Sequence, residues 1–211
     1  MRVIGHRGWP SRYTENSLEG ISAASTVAAM VETDVRRTED GLLVLSHDPI
    51  EDPTGLLSLE ELLTALPEFP FNLEIKNFPG EPDFDPDHAS GLATAALARP
   101  FDLLTCFFWP TVDAIRRAFP EVATGLLLSY DWDIGIATSH ALALGHRTLA
   151  PHWLLALAQP EDTKAAVGSG LEVVVWTLND PDQLPELANL GVTAIITDDP
   201  GAMSAALEDV K

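Results

Sequence analysis

Glu32 and Asp34 stand two residues apart in Met30-Val31-Glu32-Thr33-Asp34-Val35, a run that reads as a β-strand. At that spacing both carboxylates project to one face, about 6.6 Å apart along the strand. Burying bare carboxylates is costly, and a hard divalent cation such as Mg2+ or Ca2+ relieves the cost through oxygen ligands. Glu74, in Asn72-Leu73-Glu74-Ile75-Lys76, offers a third oxygen from another strand. On a solvent-facing strand the same acids would simply be hydrated; a sheet covered on both sides demands a partner for them. Arg7 and Lys76 bring positive charge to the carboxyl ends of their strands, where Arg can clamp a phosphate through its fork and Lys acts as a point charge. They can also pair with Glu32, Asp34 or Glu74, and a resting site can hold both arrangements. His6 ends the first strand candidate and His47 follows the apolar run Leu42–Leu45. Two imidazoles can divide acid and base work, and beside three acids and two cations they suit displacement at phosphorus.

These residues need a scaffold that brings distant strands together. Short β-rich runs alternate with longer Ala/Leu/Glu segments of helical period from end to end. Strands are predicted at Arg2–Arg7, Met30–Val35, Phe71–Lys76, Asp102–Phe107, Ala123–Leu128, Arg147–Ala150, Glu172–Thr177 and Ala194–Thr197. Helices are predicted near Ser17–Ala29, Ser58–Leu66, His88–Ala98, Thr111–Ala118, Ile134–Leu144, Pro160–Val167, Pro181–Leu190 and Pro200–Val210. Ser58 three residues before Glu61 reads as a capping box, Pro160 and Pro181 suit first turns, and Gly191 suits a helix stop. Eight βα units without a linker or a break in composition predict an α/β fold, a single small (β/α)8 TIM barrel spanning 1–211, with an open doubly wound sheet as the alternative.

The chain of 211 residues carries 32 acidic against 12 basic side chains, a formal charge of −20. So acidic a protein lacks the basic footprint that nucleic acid requires and the polybasic patch that anionic lipid requires, so neither nucleic-acid binding nor stable membrane association is expected. Hydrophobic residues at 46% suffice for one sizeable core. Cys106 is the only cysteine, which excludes an intramolecular disulfide. The opening residues reach a polar His-Arg-Gly at once and no apolar run approaches the roughly 20 residues of a membrane span, which predicts no signal peptide and a soluble, cytoplasmic protein. Oligomeric state is left open.

Taken in order, Ile4-Gly5-His6-Arg7-Gly8, Thr14-Glu15-Asn16-Ser17, Glu32-Thr33-Asp34-Val35, Thr38-Glu39-Asp40-Gly41, His47-Asp48, Leu73-Glu74-Ile75-Lys76, Val175-Trp176-Thr177-Leu178-Asn179 and Ile196-Thr197-Asp198-Asp199-Pro200 resemble the glycerophosphodiester phosphodiesterase family. The resemblance implies a TIM barrel and a divalent metal on Glu32, Asp34 and Glu74. It also implies acid/base roles for His6 and His47 and phosphate contacts from Arg7 and Lys76. The implied substrate is a small soluble glycerophosphodiester, cleaved to glycerol phosphate and an alcohol by attack of the glycerol 2-hydroxyl, with water then opening a cyclic phosphate. A lysophospholipase D-like activity and a non-catalytic phosphate-binding barrel are the alternatives.

Two departures stand out. The family often inserts some tens of residues on the rim, whereas Asp48 to Phe71 here holds only Pro49–Gly55 and one short helix; and Thr14 replaces the usual Pro before Glu-Asn. Glu15 and Asn16 could fix a loop or touch the metal site, with a helix cap as the other role for Asn16. Trp176 and Trp9 could wall the alcohol portion of a substrate or pack in the core. The acidic stretch Glu81–Asp87 lacks the Gly and terminal Glu of an EF-hand loop and reads as a solvated rim loop. His88, His140, His146 and His152 read as ordinary polar surface or core residues.

Overall fold

The computed structural model describes residues 1–209. Eight parallel strands close into a barrel: β1 (Arg2–Gly5), β2 (Met30–Arg37), β4 (Phe71–Ile75), β5 (Leu103–Cys106), β6 (Ala123–Leu128), β7 (Thr148–Pro151), β8 (Glu172–Val175) and β9 (Ala194–Thr197). Closure comes from β1 pairing with β9 on one side and β2 on the other. The short β3 (Leu43–Leu45) is the exception, running antiparallel to β2. Around the barrel lie α1 (Leu18–Ala24), α2 (Leu59–Ala65), α3 (Ala89–Leu97), α4 (Trp109–Ala118), α5 (Ile134–Leu144), α6 (Trp153–Ala158), α7 (Pro160–Gly168), α8 (Leu184–Asn189), preceded by a 3-10 turn, and α9 (Pro200–Asp209). Val210, the expected end of the last helix, lies outside the described residues. No helix among those described is long and apolar enough to cross a membrane.

The barrel matches the sequence expectation, with three differences. β3 was expected only as an apolar run. It forms because β2 is eight residues long and β1 pairs only with its first two; β3 covers the same edge from Val35 to Arg37, which would otherwise present unpaired backbone groups. α6 was not expected at all: the His152 ring accepts from the Leu154 N–H at its start, and Pro160 then begins α7. The first helix stops at Ala24 rather than Ala29, because the Ser25 and Thr26 hydroxyls bond back to the Ser22 and Ala23 carbonyls and compete with helical continuation. Elsewhere the local signals hold. Ser58 and Glu61 form a capping box, and Gly191 follows α8 just past its cap Leu190 at φ 85°.

Side chains alternate along each strand. Val31 and Val35 of β2 face the large apolar layer beneath the helices, while Met30 packs inside the barrel with Ile4, Leu127, Ala150, Val174, Ala194 and Ile196. The inward set of β2 is therefore Met30, Glu32, Asp34 and Arg36. A small apolar plug fills the barrel floor, and polar groups take over toward its carboxyl rim.

Candidate active site

The ladders of β1, β4, β5 and β8 end one or two residues earlier than the pattern predicted, whereas β2 and β7 run on to Arg37 and Pro151; the residues just beyond the strand ends form the rim. After β1, the His6 N–H donates to the Thr197 carbonyl (2.8 Å). Arg7 and Gly8 then turn with positive φ (50° and 94°). A Cβ on Gly8 would lie 2.9 Å from the Ile21 nitrogen, so the turn sits directly on α1. That turn aims the Arg7 N–H at Glu32 Oε2, 3.0 Å away.

Glu32, Asp34 and Glu74 converge, each offering an oxygen within 4.8 Å of the other two. Register explains this: Asp34 pairs with Glu74 across the β2–β4 ladder. Asp34 is buried and densely partnered. The Asn16 amide donates to it (2.9 Å), Arg7 Nε lies 3.1 Å away and Lys76 Nζ 3.5 Å away. Burial alone would raise its pKa, but Lys76, Arg7 and Asn16 outweigh burial and hold the carboxyl below its ordinary range. Glu32 goes the other way. Burial, then the neighbouring charges of Asp34 and Glu74, push it well above the usual range, and its Oε1 is buried with no hydrogen-bond partner. An orphaned oxygen among three crowded carboxylates fits a divalent cation. Lys76 also bonds Glu74 (2.8 Å), and Arg7 reaches Glu15 (2.9 Å), so both expected phosphate-binding cations are paired with acids of the cluster or its border.

His6 Nδ1 lies 2.6 Å from Asp198 Oδ1, which leaves Nε2 facing Glu32 Oε2 at 3.9 Å. Asp198 is itself oriented by the Asn179 amide, and its carboxyl is held below the ordinary range, first by the His6 hydrogen bond. His47, on the segment leaving β3, bonds Asp48 (2.8 Å) and is partly exposed. Its backbone is gripped from below: Arg36, 1% exposed, donates Nε and Nη2 to the His47 carbonyl (3.0 and 2.6 Å) and Nη1 to Glu81 and Asp83. The acidic rim stretch is therefore not simply solvated, as its sequence suggested; two of its carboxylates neutralise a buried guanidinium. A cavity of about 600 Å3 opens beside His6 and Arg7, bordered by Glu15, Asn179 and Asp198.

Three residues for which the sequence leaves two roles open are placed as follows. Asn16 is no helix cap, since Ser17 caps α1; Asn16 turns at φ 53° and clamps Asp34. Trp9 is 8% exposed, packs against Tyr13 and bonds Asp199, which makes it a core residue rather than a wall. Trp176 sits at the barrel mouth, donating to the Ala150 carbonyl and meeting Phe107 and His152 edge-on, apart from the carboxylate cluster. Arg36, Asn179 and Asp198 were not singled out from sequence, because their partners lie far along the chain.

A model of the Glycerophosphoryl diester phosphodiesterase family matches residues 6–59 and 56–202. The chain belongs to that family. A glycerophosphodiester phosphodiesterase from Caldanaerobacter subterraneus is 25% identical over 94% of this chain and 94% of its own. Among solved structures, a glycerophosphodiester phosphodiesterase from Parabacteroides distasonis superposes with a TM-score of 0.84 at 21% identity, covering 99% of this chain and 97% of that one. An Oleispira antarctica phosphodiesterase, solved in complex with its product sn-glycerol-3-phosphate, gives 0.84 at 20% identity over 99% and 97%. At those identities the two structures bear on the fold, and both share the barrel.

Proposed function

We propose that this family member is a divalent-metal-dependent hydrolase of small, soluble glycerophosphodiesters, releasing glycerol phosphate and an alcohol. The reading rests above all on the meeting of Glu32, Asp34 and Glu74 beside His6, His47, Arg7 and Lys76 at one end of the barrel, where barrel enzymes carry their sites. The product bound to the Oleispira relative supports a glycerol-phosphate ligand. Glu32, Asp34 and Glu74 would hold Mg2+ or Ca2+, which when bound polarises phosphoryl oxygens. Arg7 and Lys76 exchange part of their pairing with acids for the phosphate, the first through its fork and the second as a point charge.

One imidazole accepts the proton of the attacking glycerol 2-hydroxyl, and the other protonates the departing alcohol oxygen. Water then opens the cyclic phosphate with the two roles reversed. His6 is prepared for proton transfer because Asp198 holds its Nδ1 and leaves Nε2 toward the carboxylates. Trp176, at the mouth, walls the alcohol side.

The test is a panel of metals against substrates on purified protein, run with His6→Ala and His47→Ala. Each variant should lose roughly 10²–10⁴-fold in kcat, the range of a general acid or base, while metal affinity stays near wild type. A 2-deoxy substrate should lose orders of magnitude as the intramolecular attack disappears. Faster turnover of a lysolipid than of a soluble diester would instead support the lysophospholipase D-like reading. Binding without turnover under every metal would support a phosphate-binding barrel.

A further inference from the structure

Among the described residues a second group of metal-ligating side chains lies outside the barrel, near the amino-terminal ends of β6 and β7. These ends are opposite the rim that carries the carboxylate cluster. Asp113 projects from α4, His140 from α5, and His146 from the turn that leads into β7. Both imidazoles point Nε2 at the same oxygen, Asp113 Oδ1, at 3.0 and 2.9 Å. Their rings are parallel to within 9°. We propose that Asp113, His140 and His146 form a structural site for a divalent ion of intermediate softness, Zn2+ in the first instance.

The donor set decides the class of ion. Two imidazole nitrogens and one carboxylate oxygen suit Zn2+, Co2+ or Ni2+, whereas Mg2+ and Ca2+ prefer the all-oxygen cluster at the other end of the barrel. His146 is already oriented as a ligand. Its side chain is fully buried and its Nδ1 lies 2.8 Å from Thr124 Oγ1. When Nδ1 carries the proton and donates it to that hydroxyl, the Nε2 lone pair faces a carboxylate oxygen, and a cation between them reconciles the two. Burial also lowers the His146 pKa and favours the neutral imidazole that a metal requires. Access is open on one side only, since His140 is partly exposed while the Trp109 ring lies 5.1 Å from it and Trp132 packs on Trp109. Arg116, one turn further along α4, is the opposing charge, and its guanidinium is engaged by the Pro120 carbonyl. An ion held here would link α4 and α5 to the turn entering β7, so its binding would stabilise the barrel without reaching the catalytic rim.

The experiment is calorimetric titration of the full chain with Zn2+ under saturating Mg2+, with thermal melts and the visible spectrum of the Co2+ form alongside. One equivalent should bind wild type and also a Glu32→Gln/Asp34→Asn variant, with imidazole-type Co2+ bands and a raised Tm. His140→Ala, at a partly exposed position, should lose that equivalent and the Tm rise while keeping Mg2+-dependent turnover. Thr124→Val should weaken binding roughly 10–100-fold, the usual effect of removing a group that orients a ligand. Zn2+ binding that persists in His140→Ala, or that is absent from Glu32→Gln/Asp34→Asn, overturns the proposal.

Discussion

Glu32 and Asp34 sit on one strand face and share a cluster, yet their environments drive their pKa values apart. Glu32 holds its proton to higher pH in the folded chain than in the unfolded one. In the metal-free protein it therefore subtracts stability as pH rises above its ordinary value of 4.5, and the loss is complete only above its raised folded value. Asp34 acts with the opposite sign, adding stability above its ordinary range that is lost as the solution turns acid. Melts in a chelator should accordingly show Glu32→Gln more stable than wild type at pH 8, with the difference vanishing at pH 4, while cation-dependent turnover is lost. Arg36 gives a second prediction. Its guanidinium joins the His47 carbonyl to Glu81 and Asp83, and Lys keeps the charge without the fork. With His47 in its proposed proton-transfer role, Arg36→Lys should lower kcat more than it raises KM, read from initial-rate kinetics. Arg36→Gln should in addition destabilise the fold by up to about 3 kcal/mol, as expected for a broken buried ion pair whose acids are partly hydrated, read by denaturant titration. The seven charged and imidazole candidates could be picked out because such residue types are chemically unusual within or just beyond barrel strands. Arg36 could not, since its carboxylate partners lie 45 and 47 residues away, and nothing local marks a surface-type residue as buried.

Eight parallel strands could be read from β-branched runs separated by helical stretches, because each such run is buried on both faces and must be apolar on one of them throughout. β3 escaped for the opposite reason. Its three residues carry no period, and only the open edge of β2 calls it into existence. α6 escaped because Trp153–Ala158 is continuously apolar and Pro160 breaks the pattern before a helical repeat can show. Capping was legible in full at α2. There Ser58 Oγ accepts the Glu61 N–H while Glu61 accepts the Ser58 N–H, and α2 supplies none of the active-site groups. Ser58→Ala should cost about 1 kcal/mol in chemical denaturation and leave kcat/KM unchanged.

Net charge acts at the scale of the whole molecule. A net charge of −20 disfavours approach to anionic surfaces, and with screening over about 8 Å at physiological salt, attraction of a phosphate is left to groups close to it, such as Arg7 and Lys76. The connection from β3 to α2 (residues 46–58) carries no strand or helix of its own, so little wall remains to grade the leaving alcohol. Glycerophosphocholine, glycerophosphoethanolamine and glycerophosphoglycerol should therefore show kcat/KM values within about tenfold, or about 1.4 kcal/mol, of one another in a direct competition assay. A last consequence belongs to β2. Glu32, Asp34 and Arg36 share its inner face in strict alternation with Thr33 and Val35. Inserting or deleting one residue just ahead of Glu32 in this strand would turn all three outward together and bring apolar groups in. A change of length in a rim loop leaves this register intact, but a single codon added ahead of Glu32 would withdraw two of the proposed metal ligands and the support of His47 in one event.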